Sequence, residues 1–183
     1  MTLRSAAAMR PRIYLAGPDV FHPDAPALFA RLKAQCAALG LEGMAPTDTQ
    51  VDTHAARGSD DALAQGIYDG NIALLRQADG VAANLQAFRG LEPDSGTVFE
   101  VGYAIALGKP VVAYHVPADS YEARVSAAIP CVRGADGMVR ERDGGMMVEG
   151  LGQRLNLMIT RSCGLEASAE DALRRLAGML LKI

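Results

Sequence analysis

The chain has 183 residues, half of them hydrophobic, which is enough for one globular domain with a full core. Its net charge of −3 and its scattered Lys and Arg residues argue against a nucleic-acid partner, which needs a basic surface. No apolar run approaches the roughly 18 to 20 residues of a membrane span, and the first residues lack the apolar core of a signal peptide. Three cysteines without metal-ligand spacing fit unpaired thiols in a reducing compartment, so we expect a cytoplasmic protein.

Strands and helices alternate along most of the chain. Strands are predicted at residues 12–17, 41–46, 80–85 and 110–115, and helices at residues 27–39, 60–77, 95–107 and 165–181. The strands are apolar on both faces, which is typical of a parallel sheet covered by helices on each side. We therefore expect an α/β fold with a doubly wound parallel sheet of about five strands.

The remaining segments carry weaker patterns. Residues 1–11 are predicted to be a flexible N-terminal tail, and residues 12–183 a single domain. Between residues 116 and 145 many Gly, Arg and Asp residues indicate a long loop or excursion. Regular structure is expected to return at residues 151–159.

One carboxylate lies inside an apolar helix. Ser95 is the predicted N-cap of this helix, and helical spacing places Glu100 on a face shared with Tyr103 and Leu107. Burying a lone Glu carboxylate costs on the order of several kcal/mol of desolvation free energy unless the group is paired or has a chemical role. Asp94 precedes the helix, and two neighbouring acids are suited to catalysis at a sugar carbon.

Topology predicts where these acids lie. In an open α/β sheet, ligands bind at the carboxyl ends of the strands, where the loops after residues 17, 46, 85 and 115 gather. Tyr14, near the end of the first strand, is either a core aromatic or a hydroxyl that reaches a ligand or a catalytic acid. Glu100 could instead be a structural carboxylate, and Asp94 a turn residue. No zinc spacing, phosphate loop or dinucleotide motif is present, so we expect neither a metal nor a cofactor.

Five short segments, taken in order, carry a resemblance to a known family. They are Ile-Tyr-Leu-Ala-Gly-Pro at residues 13–18, residues 46–50, Ala78-Asp79, residues 94–104 with Gly108-Lys109-Pro110, and Leu-Asn-Leu-Met at residues 155–158. Together they resemble the nucleoside 2-deoxyribosyltransferase family. The resemblance implies a flavodoxin-like sheet and an enzyme that moves 2-deoxyribose between nucleobases, in nucleotide salvage, through a covalent intermediate.

The resemblance also implies a role for each matching residue. Glu100 matches the family's nucleophile and Tyr14 the hydroxyl that orients it. Asp94 and Asn156 match residues that hold the sugar hydroxyls. Phe21 and Gln50 match positions that contact the base. Asn156 and Met158 match residues that the family lends to the neighbouring subunit's site, which implies a homo-oligomer, at least a dimer. The implied partners are a 2-deoxynucleoside and a free nucleobase.

One position departs from the family's pattern. Asn71 stands where some members carry an acid near the base, and an amide can contact a base edge but cannot deliver a proton. The proton for the leaving base must then come from another acid, with Asp48 and Asp19 as candidates, or from water, unless protonation is partly dispensed with.

Two other functions stay open from the sequence. A 2-deoxynucleoside 5′-monophosphate N-glycosidase of the same family would need a phosphate pocket, for which Ser95, Thr97 and the nearby Arg89 are candidates. A non-catalytic, flavodoxin-like nucleotide-binding module is the alternative from a different class. The buried Glu100 argues against it, since a carboxylate without a chemical role is costly to bury.

Overall fold

The computed structural model describes residues 9–49 and 59–181. Within these residues, five parallel strands form the main sheet: β1 (Arg12–Ala16), β2 (Glu42–Met44), β3 (Gly80–Asn84), β4 (Val111–Tyr114) and β7 (Gly164–Leu165). Their order is β2-β1-β3-β4-β7, the flavodoxin-like order of a doubly wound sheet. The predicted fold class is confirmed. Two further strands, β5 (Cys131–Arg133) and β6 (Val139–Glu141), form a separate antiparallel pair.

Helices cover both faces of the main sheet. They are α1 (Ala25–Ala38), α2 (Asp60–Gln77), α3 (Ser95–Ala106), α5 (Leu157–Thr160) and α6 (Ala169–Leu180), whereas α4 (Tyr121–Ala128) packs in a small separate core. One core cluster joins α1 and α6 to the sheet, and a second joins α2 and α3 to the opposite face. Among the described residues no helix is long and apolar enough to cross a membrane.

The first strand distributes its side chains between the two cores. Ile13 and Leu15 belong to the α1 and α6 cluster, whereas Tyr14 and Ala16 belong to the α2 and α3 cluster, and each is at most 1% exposed. Successive side chains of a strand point to opposite faces of the sheet, so this alternation follows from β geometry. It directs the Tyr14 hydroxyl toward α3.

Several element boundaries differ from the sequence prediction. The predicted helix at residues 165–181 is preceded by a two-residue strand, β7, and α6 begins only at Ala169 behind the N-cap Ser168. Two residues are too few to show the alternation by which a strand is detected, so β7 escaped prediction. The predicted N-cap Ser95 is wrong. Asp94 caps α3, accepting a hydrogen bond from the Thr97 amide.

The excursion after β4 has secondary structure of its own. Residues 116–145 contain α4 and the β5–β6 hairpin, whose buried valines form a small separate core with Leu91 and Tyr121 at its edge. Regular structure within residues 151–159 is limited to the start of α5. Residues 1–8 and the predicted base contact Gln50 lie outside the described residues, so the predicted tail stays a prediction.

Candidate active site

A cavity of about 530 Å³ opens at the carboxyl ends of β1, β2 and β3. Gly17 after β1, Pro46 after β2 and Asp94 at the end of the loop after β3 line it from the sheet side. The helices α2 and α3 contribute Asn71 and Glu100. The cavity therefore lies where an open α/β sheet normally binds its ligand, at the reversal of strand order between β1 and β3.

A short hydrogen bond joins the two predicted catalytic residues. The Tyr14 hydroxyl donates to Glu100 Oε1 at 2.6 Å, across the gap between β1 and α3. Tyr14 is fully buried, and Glu100 is partly buried at the cavity wall. The ring of Tyr14 belongs to the core and its hydroxyl reaches Glu100, while the predicted orienting role stays a prediction.

The cavity also sets the charge state of Glu100. Burial raises its pKa to about 7, the Tyr14 hydrogen bond opposes this rise, and the nearby Asp94 carboxylate adds to it. Burial and the neighbouring Glu100 charge also raise the pKa of the Tyr14 hydroxyl, so Tyr14 remains a hydrogen-bond donor. A carboxylate with a pKa near neutrality is poised to change its charge state at working pH, as catalytic groups often are.

Asp94 is held rigidly at the cavity edge. Its Oδ2 accepts hydrogen bonds from both the amide and the hydroxyl of Thr97, each at 2.9 Å, and Thr97 is only 2% exposed. Within the described residues its Oδ1 makes no hydrogen bond, which leaves one carboxylate oxygen for a ligand hydroxyl. The Thr97 hydroxyl, considered above for a phosphate, is occupied by Asp94. The supporting role of Thr97 was missed because Ser95 was predicted as the N-cap; with Asp94 as the cap, Thr97 is the third helical residue, whose amide an N-cap oxygen accepts.

Much of the remaining cavity wall is apolar. Val20, Phe21 and Ile67 line it together with Asn71. Phe21 stacks on Phe88 with ring centroids 5.5 Å apart. Asn71 Oδ1 is buried and has no hydrogen-bond partner among the described residues. An aromatic ring beside apolar side chains and one amide is suited to a planar heterocycle with polar edges.

The candidate proton donors from the sequence do not line this cavity. Asp48 Oδ1 pairs with Lys33 at 2.5 Å, and its Oδ2 accepts from the Ala45 amide at 2.8 Å. Asp19 Oδ2 accepts from Asn84 at 3.0 Å and lines a different cavity, against α1. Within the described part of the chain, Glu100 and Asp94 are the acids at the cavity wall.

Gly17, which ends the first predicted strand, also has a spatial role. A Cβ at this position would lie 2.6 Å from Asp19 Oδ2 and 2.8 Å from Asn84 Cβ. The close approach of β1 and β3 at the cavity floor therefore needs glycine. No sequence pattern reveals such a contact, because it depends on the neighbouring strand.

Asn156 and Met158 lie outside the wall of this chain's own cavity. Asn156 is the N-cap of α5, where its Oδ1 accepts from the Met158 amide at 3.0 Å, and its Nδ2 donates to Glu149 at 3.0 Å. Met158 is 72% exposed. Their predicted role in a neighbouring subunit's site stays a prediction. Among the described residues no group of three or more His, Cys, Asp or Glu side chains could hold a metal ion.

Comparison with known proteins places this geometry in a family. The family model for nucleoside 2-deoxyribosyltransferase matches residues 13–158. A 2-desoxiribosyltransferase from Leishmania mexicana superposes with a TM-score of 0.69 at 31% identity, covering 91% of this chain and 97% of that chain. An uncharacterised protein from Schizosaccharomyces pombe is 36% identical over 117 residues, which are 63% of this chain. The chain spans about half the length of that yeast relative, 54%.

Two more distant structures share the fold. A 2-deoxyribosyltransferase from Bacillus psychrosaccharolyticus has a TM-score of 0.56 at 19% identity and covers 87% of this chain and 88% of its own. A conserved protein from Enterococcus faecalis has a TM-score of 0.56 at 22% identity, covering 94% of this chain and 100% of its own. The resemblance drawn from the sequence is confirmed by the family match. The chain belongs to the nucleoside 2-deoxyribosyltransferase family.

Proposed function

We propose that the protein is an N-deoxyribosyltransferase that moves 2-deoxyribose between nucleobases through an ester of Glu100. The observation that carries this proposal is the 2.6 Å hydrogen bond from buried Tyr14 to Glu100 at the wall of a cavity of about 530 Å³. The cavity wall includes the Asp94 carboxylate, suited to a sugar hydroxyl, and the Phe21 ring with apolar neighbours, suited to a base.

In the first step, the bond between the sugar C1′ and the base nitrogen breaks and its electron pair leaves with the base. A free oxygen of Glu100 forms a bond to C1′ and gives a deoxyribosyl ester. The transition state resembles an oxocarbenium ion, which a carboxylate on one face of the sugar stabilises. Tyr14 holds the other oxygen of Glu100, so the attacking oxygen is fixed in direction and needs little reorganisation.

In the second step, a nitrogen of an incoming base attacks C1′ and the ester bond breaks. Two inversions give net retention, and the incoming base loses a proton to solvent. Water attacking in its place would give free deoxyribose, so the balance between transfer and hydrolysis depends on how well the base excludes water. The apolar wall formed by Val20, Phe21 and Ile67 is suited to that exclusion.

The leaving base needs a proton, and Asn71 cannot supply it. We propose that Asn71 makes a hydrogen bond to the edge of the base and that the proton comes from solvent at the cavity mouth. Asp48 and Asp19 are engaged by Lys33 and Asn84, away from the cavity wall.

An incubation with two substrates tests the proposal. Pure protein with deoxyinosine and free adenine is expected to form deoxyadenosine together with hypoxanthine, as measured by chromatography. Free deoxyribose and hypoxanthine without deoxyadenosine would instead indicate a hydrolase, and no product at all would support a binding module. Glu166→Gln, which removes a carboxylate paired with Arg175 outside the cavity, is the control and should keep full activity.

A monophosphate substrate is the second candidate, because a cation lies at the cavity rim. The Arg89 guanidinium is 5.4 Å from the centroid of the Phe21 ring, on the side assigned above to the base, so a 5′-phosphate would meet it only if the substrate bound with its sugar toward Phe21. The Asp94 carboxylate opposes that binding if it faces the same end of the sugar. Offering deoxyinosine 5′-monophosphate beside deoxyinosine decides between the two: a higher kcat/KM for the monophosphate would favour the glycosidase.

We further propose that a second copy of the chain completes the site. Large apolar side chains are exposed near α3 and α5, with Phe99 at 52% and Met158 at 72%. Phe99 also stacks on Tyr103 and contacts Tyr68, so the exposed surface is a continuous aromatic stripe. Exposed apolar surface of this kind is typical of a protein interface. Asn156 and Met158 would then reach the partner's cavity.

Mixing two inactive variants tests the sharing of sites. Glu100→Gln lacks the nucleophile, and Asn156→Ser lacks the amide but keeps an N-cap oxygen for α5. In a mixed dimer one site combines Glu100 of one chain with Asn156 of the other. Co-refolding equal amounts should restore roughly one quarter of wild-type activity, because half of random dimers are mixed and one of their two sites is complete. Activity that stays at the sum of the two variants would rule out the sharing.

A further inference from the structure

Arg124, on the excursion helix α4, connects two segments that lead into predicted sugar-binding residues. Its Nη1 donates to the Leu91 carbonyl, in the loop between β3 and α3, and its Nη2 donates to the Arg154 carbonyl at 2.8 Å. Leu91 lies three residues before Asp94, and Arg154 lies two residues before Asn156. A single side chain therefore holds both segments.

The environment of Arg124 fixes this arrangement. The guanidinium lies 5.6 Å from the centroid of the Tyr121 ring, which supports it from within the same helix. Hydrogen bonds from a charged donor to a carbonyl are among the stronger ones, and the planar guanidinium can hold two acceptors at fixed angles. Lysine offers a single charged centre and could not bridge both carbonyls in the same geometry.

The surrounding contacts make Arg124 the link between the excursion and the cavity. Leu91 packs at the edge of the small core formed by α4 and the β5–β6 hairpin. The segment that leads into Asn156 is also bound to the excursion by two further hydrogen bonds. The Tyr121 amide donates to the Gln153 carbonyl at 2.8 Å. The Arg154 side chain donates to the Pro117 carbonyl at 2.6 Å. The loop that ends at Asp94 lacks a regular element of its own between β3 and α3. The position of this loop therefore depends on tertiary contacts such as the hydrogen bond from Arg124 to the Leu91 carbonyl.

We propose that Arg124 is a positioning residue that holds the loop leading into Asp94, and so sets where the sugar of the substrate lies in the cavity. The excursion thereby has a role in the reaction, although none of its residues is among those at the cavity wall. The proposal rests on the proposed function, in which Asp94 binds a sugar hydroxyl.

Kinetics of Arg124→Gln test the proposal. Misplacing a substrate contact by about 1 Å can cost up to roughly 100-fold in rate, so kcat/KM for base exchange should fall about 10- to 100-fold. The loss should appear in kcat as well as in KM, because a displaced sugar presents C1′ to the Glu100 oxygen at the wrong position. Arg124→Lys, which keeps the charge but not the bidentate geometry, should recover only part of the loss. Arg133→Gln, an exposed arginine paired with Glu122 on the same excursion, is the matched control and should keep wild-type kinetics.

A double-mutant cycle separates positioning from a general loss of stability. If Arg124 acts through Asp94, adding Arg124→Gln to Asp94→Ala should change kcat/KM by less than about twofold, because coupled residues are not additive. Losses that multiply would overturn the proposal. A thermal unfolding midpoint for each variant shows that the compared proteins are folded.

Hydrogen exchange gives a readout that does not depend on activity. The Phe88 amide donates to the Glu92 carbonyl, the Thr97 amide to Asp94, and the Leu157 amide to Glu149. Arg124→Gln should speed exchange at these three amides, and Arg133→Gln should leave them unchanged. Unchanged exchange in Arg124→Gln would overturn the proposal even if activity falls. A wild-type protein without base exchange would refute the proposed function, while the exchange rates would still report whether Arg124 holds the loop.

Discussion

Glu100→Gln is expected to abolish base exchange, with a loss of about 10⁴- to 10⁶-fold in kcat, as for deletion of other enzyme nucleophiles. The amide has nearly the shape of the carboxylate and can still accept the Tyr14 hydrogen bond, so the fold and the cavity should be retained. What it lacks is the negative charge that stabilises the oxocarbenium-like transition state and the oxygen nucleophile that captures C1′. Chromatography of the deoxyinosine and adenine incubation measures the loss directly.

The alternative explanation of such a loss is failure to bind. Glu100→Gln should still bind deoxyinosine, because the Asp94 oxygen and the aromatic wall of the cavity are unchanged. Calorimetry on the variant measures that binding. Mass spectrometry adds a positive test, since wild-type protein with deoxyinosine should carry a deoxyribosyl adduct and Glu100→Gln should not. Residual exchange within 10-fold of wild type, a loss of roughly 1.4 kcal/mol of transition-state stabilisation, would remove Glu100 as the nucleophile.

The fold could be predicted from the sequence wherever an element was long enough to show its period. The strands β1, β3 and β4 are apolar runs, and α2 has both a capping serine and helical spacing. The two-residue strand β7 has no period to detect, and the hairpin β5–β6 is too short and too exposed for its alternation to stand out. Tertiary pairing defines these elements more than local pattern does.

The site could be predicted in part, for a related reason. Glu100 stands out because it is a carboxylate in an apolar helix, and the strand-end rule places it at a cavity. Its partner Tyr14 is 86 residues away in sequence, so the hydrogen bond between them required the fold. Arg124 gives no sequence signal, since its partners are backbone carbonyls whose identity the sequence does not encode.

Glu100 should also make the stability of the protein depend on pH. The pKa of Glu100 is raised from 4.5 to about 7 in the folded state, chiefly by burial. Below about pH 4.5 the residue is protonated in both the folded and unfolded states and contributes no difference. Between these two values the unfolded state has lost the proton while the folded state still holds it, so the free energy of unfolding falls as pH rises. Above about pH 7 Glu100 is charged in both states, and the folded state is destabilised by the full free-energy cost of burying that charge.

Glu100→Gln removes this titration, so its stability relative to wild type should grow with pH. A shift from 4.5 to about 7 corresponds to about 3 kcal/mol at 1.36 kcal/mol per pKa unit. The variant should be close to wild type in stability near pH 4.5 and more stable by about 3 kcal/mol at pH 8. Urea unfolding of both proteins at pH 4.5, 6 and 8 measures the difference, and all other titrating groups cancel to first order because both proteins share them. A difference that is constant with pH, or that shrinks as pH rises, would mean that burial does not destabilise the Glu100 carboxylate. A gain that follows the predicted sign would show that the fold sacrifices stability at neutral pH to keep a charged carboxylate in the cavity, a pattern expected for a catalytic group and not for a structural one.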